Sequence, residues 1–96
     1  MSKTIYVVKT YSGSIDAYTD EILLFDNIEQ AKAAAALIEF KGYTEDVIEC
    51  SIDSLEIETE DYITKFQEAK AKAKENKKGY KKILKLENQY EIKSTS

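Results

Sequence analysis

The segment that most constrains the fold is the alanine-rich stretch Asp26–Gly42, whose sequence is DNIEQAKAAAALIEFKG. Its apolar residues recur at helical spacing and fall within about 120° of arc, which predicts one buried helical stripe. This stripe comprises Ile28, Ala31, Ala34, Ala35 and Ile38. We expect Asp26 to cap the helix, with Glu29 three residues on, and Gly42 to end it. Because the buried side chains are small, the helix can lie close against a sheet.

Strand-like segments lie on both sides of this helix. Thr4–Thr10 is β-branched, aromatic and apolar on both faces, which predicts a central strand. Glu21–Phe25 predicts a second strand, antiparallel to the first and joined to it by the polar loop Tyr11–Thr19. Asp46–Ile52 alternates as a third strand. Its predicted inward residues are Ile48, Cys50 and Ile52, and its predicted outward residues are Val47, Glu49 and Ser51.

The lysine-rich remainder begins with a second predicted helix. Thr59 has the character of a cap, Glu60 and Asp61 suit the first turn, and the helix should end near Lys78, before Gly79. Its apolar stripe consists of Tyr62, Phe66, Ala69 and Ala73.

The segment Tyr80–Ile92 is open to two interpretations. Leu84 and Leu86 alternate with charged residues, which favours a strand or hairpin over residues 80–93, and an amphipathic helix is the alternative. Overall we predict one α+β domain spanning residues 1–96. A β-β-α-β unit (4–57) is followed by a lysine-rich helix (59–78) and the C-terminal strand, so that two helices pack on a small antiparallel or mixed sheet.

Charge is divided between the two parts of the chain. Met1–Thr64 contains 4 lysines and 14 acidic residues, a balance of −10, whereas Lys65–Ser96 contains 10 lysines and 4 acidic residues, a balance of +6. Such asymmetry favours a charged macromolecular partner. The alternative is that the basic segment folds back over acidic surface and neutralises it.

The composition offers little for catalysis, metals or cofactors. The chain has no His to activate its single thiol, Cys50, and no spacing singles out a pair among its 18 acidic residues. Zinc and copper sites need His or several Cys, and the acidic segment Asp53–Asp61 lacks the central Gly of a calcium loop. Gly13 stands alone, so no phosphate-binding loop is predicted. We expect no catalytic, metal-binding or cofactor-binding residues, and no enzyme.

The order of motifs in the first half of the chain carries a resemblance. A strand, a Tyr/Ser/Gly/Asp loop, a strand ending in an aromatic residue, a helix and a strand follow one another at Ile5–Val8, Tyr11–Tyr18, Phe25, Ile28–Ala31 and Ile52-Asp53. Over roughly residues 4 to 57 the chain resembles small, mostly uncharacterised phage and bacterial β-β-α-β proteins. The resemblance implies a phage-type accessory protein that acts by binding in the cytoplasm of a bacterial host.

The leading functional hypothesis is a counter-defence inhibitor. An acidic surface dotted with tyrosines would occlude a host protein that has a basic surface. The candidate contacts are Tyr11, Asp16, Tyr18, Asp20, Tyr43, Asp53, Glu56, Glu58 and Glu60.

Two alternatives stay open. Lysines and a stacking tyrosine can bind nucleic acid without reading its sequence, and the candidate residues for that role are Lys70, Lys74, Lys77, Lys78 and Tyr80. The third hypothesis is a self-assembling module that forms a homodimer. No apolar run has the length of a membrane span and the first residues lack the form of a signal peptide, so we expect a cytoplasmic protein without a membrane partner.

Overall fold

The computed structural model describes residues 3–11, 19–42, 44–52 and 56–92. Three strands and three helices occur in this part of the chain, which confirms the predicted α+β class. Their bounds are β1 Lys3–Tyr11, β2 Thr19–Phe25, α1 Ile28–Phe40, β3 Thr44–Ile52, α2 Tyr62–Asn76 and α3 Tyr80–Gln89. The loop predicted between β1 and β2 lies largely outside the described residues, at 12–18.

The sheet has the strand order β2-β1-β3, with β1 antiparallel to both neighbours. The expectation that the first strand is central is confirmed, because Ile5 and Val8 are buried on its opposite faces. Val8 lies opposite Leu23 on β2 and opposite Val47 on β3. This row faces α1, so β3 presents Val47 and Glu45 towards the helix.

The predicted orientation of β3 is therefore wrong at its centre. Ile48 pairs with Val7 and Cys50 with Ile5 on the sheet face away from α1, where Ile48 is 37% exposed and Cys50 is half-buried. Alternation determines which residues share a face, but does not reveal which face the helix covers. Glu49 and Ser51 are exposed, as predicted.

The first helix is buried on two sides. Towards the sheet, Ala31, Ala34 and Ala35 pack with Val8, Leu23 and Phe25. On another side, Ala33, Ala36 and Leu37 pack with Phe66, Ile83 and Leu86 of the later helices. The predicted stripe thus accounts for the sheet contact alone. The expectation that two helices pack on the sheet is corrected, because α2 and α3 pack chiefly on α1, which forms the middle layer.

Both predicted N-caps are displaced by one or two residues. Asn27, not Asp26, caps α1, and its Oδ1 accepts hydrogen bonds from the backbone N–H groups of Glu29 at 2.8 Å and Gln30 at 3.3 Å. Asp61, not Thr59, caps α2, because its Oδ1 accepts from the Thr64 N–H at 3.1 Å. Several cap-type residues stand in succession at both places, and the backbone conformation selects the last one.

The C-terminal segment forms a helix, so the prediction of a strand or hairpin at 80–93 is wrong and the helical alternative is correct. Ile83 and Leu86 are buried on one side of α3, against α1 and α2. Gly79 separates α2 from α3 at φ +77°, a left-handed conformation that glycine adopts without strain. The alternation around Leu84 and Leu86 did not reflect burial, because Leu84 is only half-buried.

Candidate functional site

The outer edge of β3 is open in the described part of the chain. Strand β1 pairs with one side of β3, and no described strand pairs with the other side. The strand carries Glu45, Asp46 and Glu49 and no lysine. At the opposite edge of the sheet, the Glu58 N–H donates a 2.7 Å hydrogen bond to the Leu24 carbonyl, which covers part of β2. The β3 edge therefore offers backbone groups that another strand can pair with.

A cavity of about 490 Å³ lies beside the first half of β3, between α1 and the end of α3. Its charged lining residues are Lys32, Glu39, Glu45, Asp46 and Glu91. Four of these side chains are acidic and one is basic, so the cavity has an excess of negative charge.

Glu45 is the most buried of these acids, with 6% of its surface exposed. The Tyr90 hydroxyl donates a 2.5 Å hydrogen bond to its Oε1. The other oxygen, Oε2, is buried and accepts no hydrogen bond from the part of the chain that the structure describes, and the same holds for Oε2 of Glu39. Such buried acceptors raise the free energy of the folded state, because they give up hydration without gaining a donor.

These surroundings shift the acidity of both partners. Burial raises the pKa of Glu45 to about 7, and neighbouring Glu39 and Asp46 add to the rise, whereas the hydrogen bond from Tyr90 opposes it. Burial and the acceptor Glu45 raise the pKa of Tyr90 far above its usual range, so its hydroxyl stays a donor. Glu45 therefore exchanges its proton near neutral pH, and a nearby cation would favour its charged form.

The predicted acidic contacts are only partly described. Glu56, Glu58 and Glu60 lie in the segment before α2: Glu56 is exposed, Glu58 is half-buried, and Glu60 forms an ion pair with Lys65. Tyr11 ends β1, where its backbone lies opposite Thr19 and Thr44, and Asp20 lies in β2. The other candidates lie outside the described residues: Asp16, Tyr18, Tyr43 and Asp53.

Sequence reasoning did not select Glu39, Glu45 or Tyr90. These residues come from α1, β3 and the end of α3, and no spacing in the sequence joins them. Alternation gave no signal for Glu45, because it shares a strand face with Val47, which the sequence predicted to point outward.

The lysines of the basic segment are mostly without acidic partners. Exposed lysines that form no ion pair among the described residues are Lys72, Lys74, Lys77, Lys78, Lys81, Lys82 and Lys85. Lys65 and Lys70 do have such partners, Glu60 and Glu87, the latter at 2.8 Å. In the described residues, internal neutralisation of this segment is therefore limited to these two lysines.

Most of the predicted nucleic-acid contacts gather at the turn between α2 and α3. Lys74, Lys77 and Tyr80 line one surface depression of about 340 Å³ there, whereas the exposed Lys78 lines a second depression with Lys72 and Lys82. Lys70 lies apart from the group and is half-buried in its ion pair with Glu87. Three of the five candidate residues thus share one depression, whereas Lys78 and Lys70 do not line it.

The sheet face away from α1 bears on the self-assembly hypothesis. Ile22 is 55% exposed and Ile48 is 37% exposed on that face. Exposed apolar residues of this kind suit a contact with a second copy, but single exposed isoleucines are also common on monomers. The homodimer stays a prediction.

Comparisons with known proteins add no relative from which a residue's role could be carried over. No protein-family model matches the chain, and neither the curated proteins nor the solved structures gave a match. None of the helices in the described ranges has the length and apolar character that a membrane crossing requires. Among the described side chains, no three acidic or thiol groups converge in a way that could hold a metal ion.

Proposed function

We propose that the protein is a non-catalytic binding protein whose acidic surface occludes a basic region of a second protein. The observation that carries this proposal is the outer edge of β3, with which no described strand pairs; this nine-residue strand has Glu45, Asp46 and Glu49 and no basic residue. In the setting implied by the sequence resemblance, the second protein belongs to a bacterial host and the chain acts as a phage-type inhibitor.

Strand addition provides the mode of binding. An extended segment of the partner pairs its backbone with β3, which supplies affinity, and alternate side chains select the sequence. Acidic side chains on both faces of β3 favour lysine or arginine beside them and speed the encounter of opposite charges. The exposed Glu49 side chain and the exposed Asp46 are the first groups that such a partner meets.

A second copy of the chain is a poorer occupant of this edge. Antiparallel pairing of two β3 strands would gather six acidic side chains along one seam, and neither strand contains a cation to neutralise them. Like charges held this close repel each other, even where they are not directly opposite. The edge therefore favours a basic partner over self-association.

The proposal is tested by capture from bacterial lysate with paired charge-reversal variants. Asp46→Lys combined with Glu49→Lys changes the β3 edge, whereas Glu68→Lys combined with Glu75→Lys places the same charge change on exposed positions of α2. We expect nuclease-resistant capture of a discrete basic protein by the wild type and the α2 variant, and at least a tenfold loss for the β3 variant. Equal capture by all three proteins would contradict the proposal.

Lysine-mediated nucleic-acid binding is a second candidate function. It is supported by the exposed lysines around the α2–α3 turn, which carry no acidic partner among the described residues and adjoin Tyr80. Such a cluster can neutralise phosphates, and the tyrosine ring can stack on a base. This function would use the lysines at the α2–α3 turn, whereas the first would use the acidic residues of β3. A substitution on one surface can therefore abolish one function and leave the other intact.

A further inference from the structure

We infer that the cavity walled by Glu39, Glu45 and Tyr90 binds a positively charged organic group, and that the group is a lysine or arginine side chain of the partner. This inference rests on the proposed function, because the partner's strand would deliver the side chain. A cationic side chain in the cavity would be a contact additional to the backbone pairing along β3, which does not itself require it.

The unpartnered oxygens point to a missing donor. Oε2 of Glu39 and Oε2 of Glu45 are both buried and receive no hydrogen bond from the described residues, and both residues belong to the wall of the cavity. Buried polar atoms are nearly always paired in folded proteins, so an unpaired one calls for a water, an ion or a ligand. An ammonium or guanidinium group has several donors and no acceptor, which matches a site that offers acceptors.

The charge of the cavity selects a cation. Lys32 is the one basic residue among the described residues that line it, and the described partner of Lys32 is the exposed Glu91, at 4.0 Å. No described ion pair or hydrogen bond links Lys32 with Glu39 or Glu45. The described ion pairs thus assign no cation to Glu39 or Glu45, and the acidic lining would repel an anion.

The size and composition of the site favour an organic cation over a metal ion. A volume of about 490 Å³ accommodates a flexible side chain. Among the described residues, no group of three potential ligands is arranged to hold a metal ion. Tyr90 is also among the lining residues, and cations bind favourably over the face of a tyrosine ring.

The position of the cavity connects it with the β3 edge. Glu45, Asp46 and Val47 are consecutive residues of β3, and all three line the cavity. A strand paired with this part of β3 would pass along the cavity, and every second side chain would point towards the α1 face. A long cationic side chain at such a position can reach the buried carboxylates.

The competing explanation is that Glu39 and Glu45 share one proton and need no ligand. Burial and the neighbouring Glu39 favour the protonated form of Glu45, which is consistent with its pKa of about 7. In that case a cation would leave the titration of Glu45 unchanged. A bound cation must instead favour the charged form and lower the pKa.

The experiment is an NMR titration of the full chain with n-butylammonium and, separately, with butylguanidinium, at constant ionic strength. We expect saturable shifts of the side-chain signals of Glu39, Glu45 and Tyr90. At ten times the dissociation constant, the apparent pKa of Glu45 should fall by about one unit. Neutral n-butanol, which has the same chain without the charge, should produce no such change.

Variants separate the site from general charge effects. Glu45→Gln should weaken binding at least tenfold, whereas Glu75→Gln, an equal change of charge on exposed α2 surface, should leave it unchanged. Glu39→Gln and the titration of the wild type provide the test if Glu45→Gln does not fold. An unchanged Glu45 titration, equal binding by Glu45→Gln, or equal shifts with n-butanol would overturn the inference. Capture that depends on Asp46 and Glu49 could persist in that case, so failure of the cation site is distinguishable from failure of the proposed function.

Discussion

The Tyr90 hydroxyl donates a hydrogen bond to Glu45 Oε1 at 2.5 Å across 45 positions of sequence. It joins the end of α3 to the start of β3, so the C-terminal helix and the sheet edge are linked through one buried carboxylate. Because Glu45 also lines the cavity, its protonation state affects both the stability of the fold and the charge of the cavity.

The stability of the protein should fall as the pH rises through neutrality. The pKa of Glu45 in the folded chain, about 7, lies above its ordinary value of 4.5, so the native state binds the proton more tightly than the unfolded state. The contribution is complete below about pH 4.5 and is lost as the pH rises through 7. Glu45→Gln should therefore be more stable than the wild type at pH 8, by about 1–2 kcal/mol, and similar to it at pH 4.5.

Urea unfolding of both proteins at pH 4.5 and pH 8 measures this difference. Glu75→Gln, which changes an exposed acid, serves as the control and should follow the wild type. A constant stability difference between Glu45→Gln and the wild type at the two pH values would show that Glu45 does not carry this linkage.

Tyr90→Phe should move the titration of Glu45 in a defined direction. The hydrogen bond from Tyr90 favours the charged carboxylate, and without it burial and Glu39 act unopposed. The pKa of Glu45 should therefore rise above 7, which NMR titration of the Glu45 side chain measures. The substitution should also destabilise the fold by about 1 kcal/mol at pH 8, because Oε1 loses its donor. A Glu45 pKa that stays the same or falls would disprove the role given to this hydrogen bond.

Gln30→Ala should detach the start of α2 from α1. Gln30 Oε1 accepts from the backbone N–H groups of Tyr62 at 2.7 Å and Ile63 at 3.2 Å, and its Nε2 donates to Asp61 Oδ1 at 3.1 Å. Its removal leaves these helix-terminal donors without their side-chain acceptor, which should destabilise the fold by about 2 kcal/mol. Chemical denaturation measures the change, and Asn88→Ala on the exposed side of α3 should alter stability by less than about 0.5 kcal/mol. Equal effects of the two substitutions would contradict this assignment.

Reversing the charge of the α2–α3 turn tests the second candidate function. A variant with Lys74→Glu, Lys77→Glu and Lys81→Glu should lose binding to single-stranded DNA if that function is real, because the phosphates lose their counter-charges. Fluorescence anisotropy with a labelled oligonucleotide at 50 and 200 mM salt measures the affinity. If wild type and variant bind alike, or if the affinity is independent of salt, the lysine cluster is not a nucleic-acid interface.

Local sequence patterns correctly predicted two elements, the central strand and the first helix. The first strand is apolar on both faces and is central, and the alanine-rich segment forms the helix that covers the sheet. The prediction of a strand after Tyr80 is wrong. The alternation of Leu84 and Leu86 does not mark a buried face, because Ile83 and Leu86 are the residues that pack against α1 and α2. The same residues satisfy both the alternating pattern of a strand and the spacing of an amphipathic helix, and packing against α1 and α2 favours the helix.

The candidate site was less accessible to prediction than the fold. The acidic candidates chosen from the sequence include no residue of the third strand, and neither the edge position of that strand nor the burial of Glu45 follows from composition. The cavity depends on residues that are brought together by the packing of α1, β3 and α3, so no local motif marks it. Of the residues predicted for the two surfaces, the lysines at the α2–α3 turn come together, whereas Glu56, Glu58 and Glu60 lie away from β3, before α2.

Hydrogen exchange with a defined peptide tests the central claim most directly. The probe is a nine-residue peptide of alternating lysine and valine, added to the wild type and to the variant with Asp46→Lys and Glu49→Lys. We predict that backbone amides on the outer edge of β3 become protected in the wild type and stay unprotected in the variant. Protection confined to β2, α2 or α3, equal protection in both proteins, or no added protection in β3 would contradict binding at this edge.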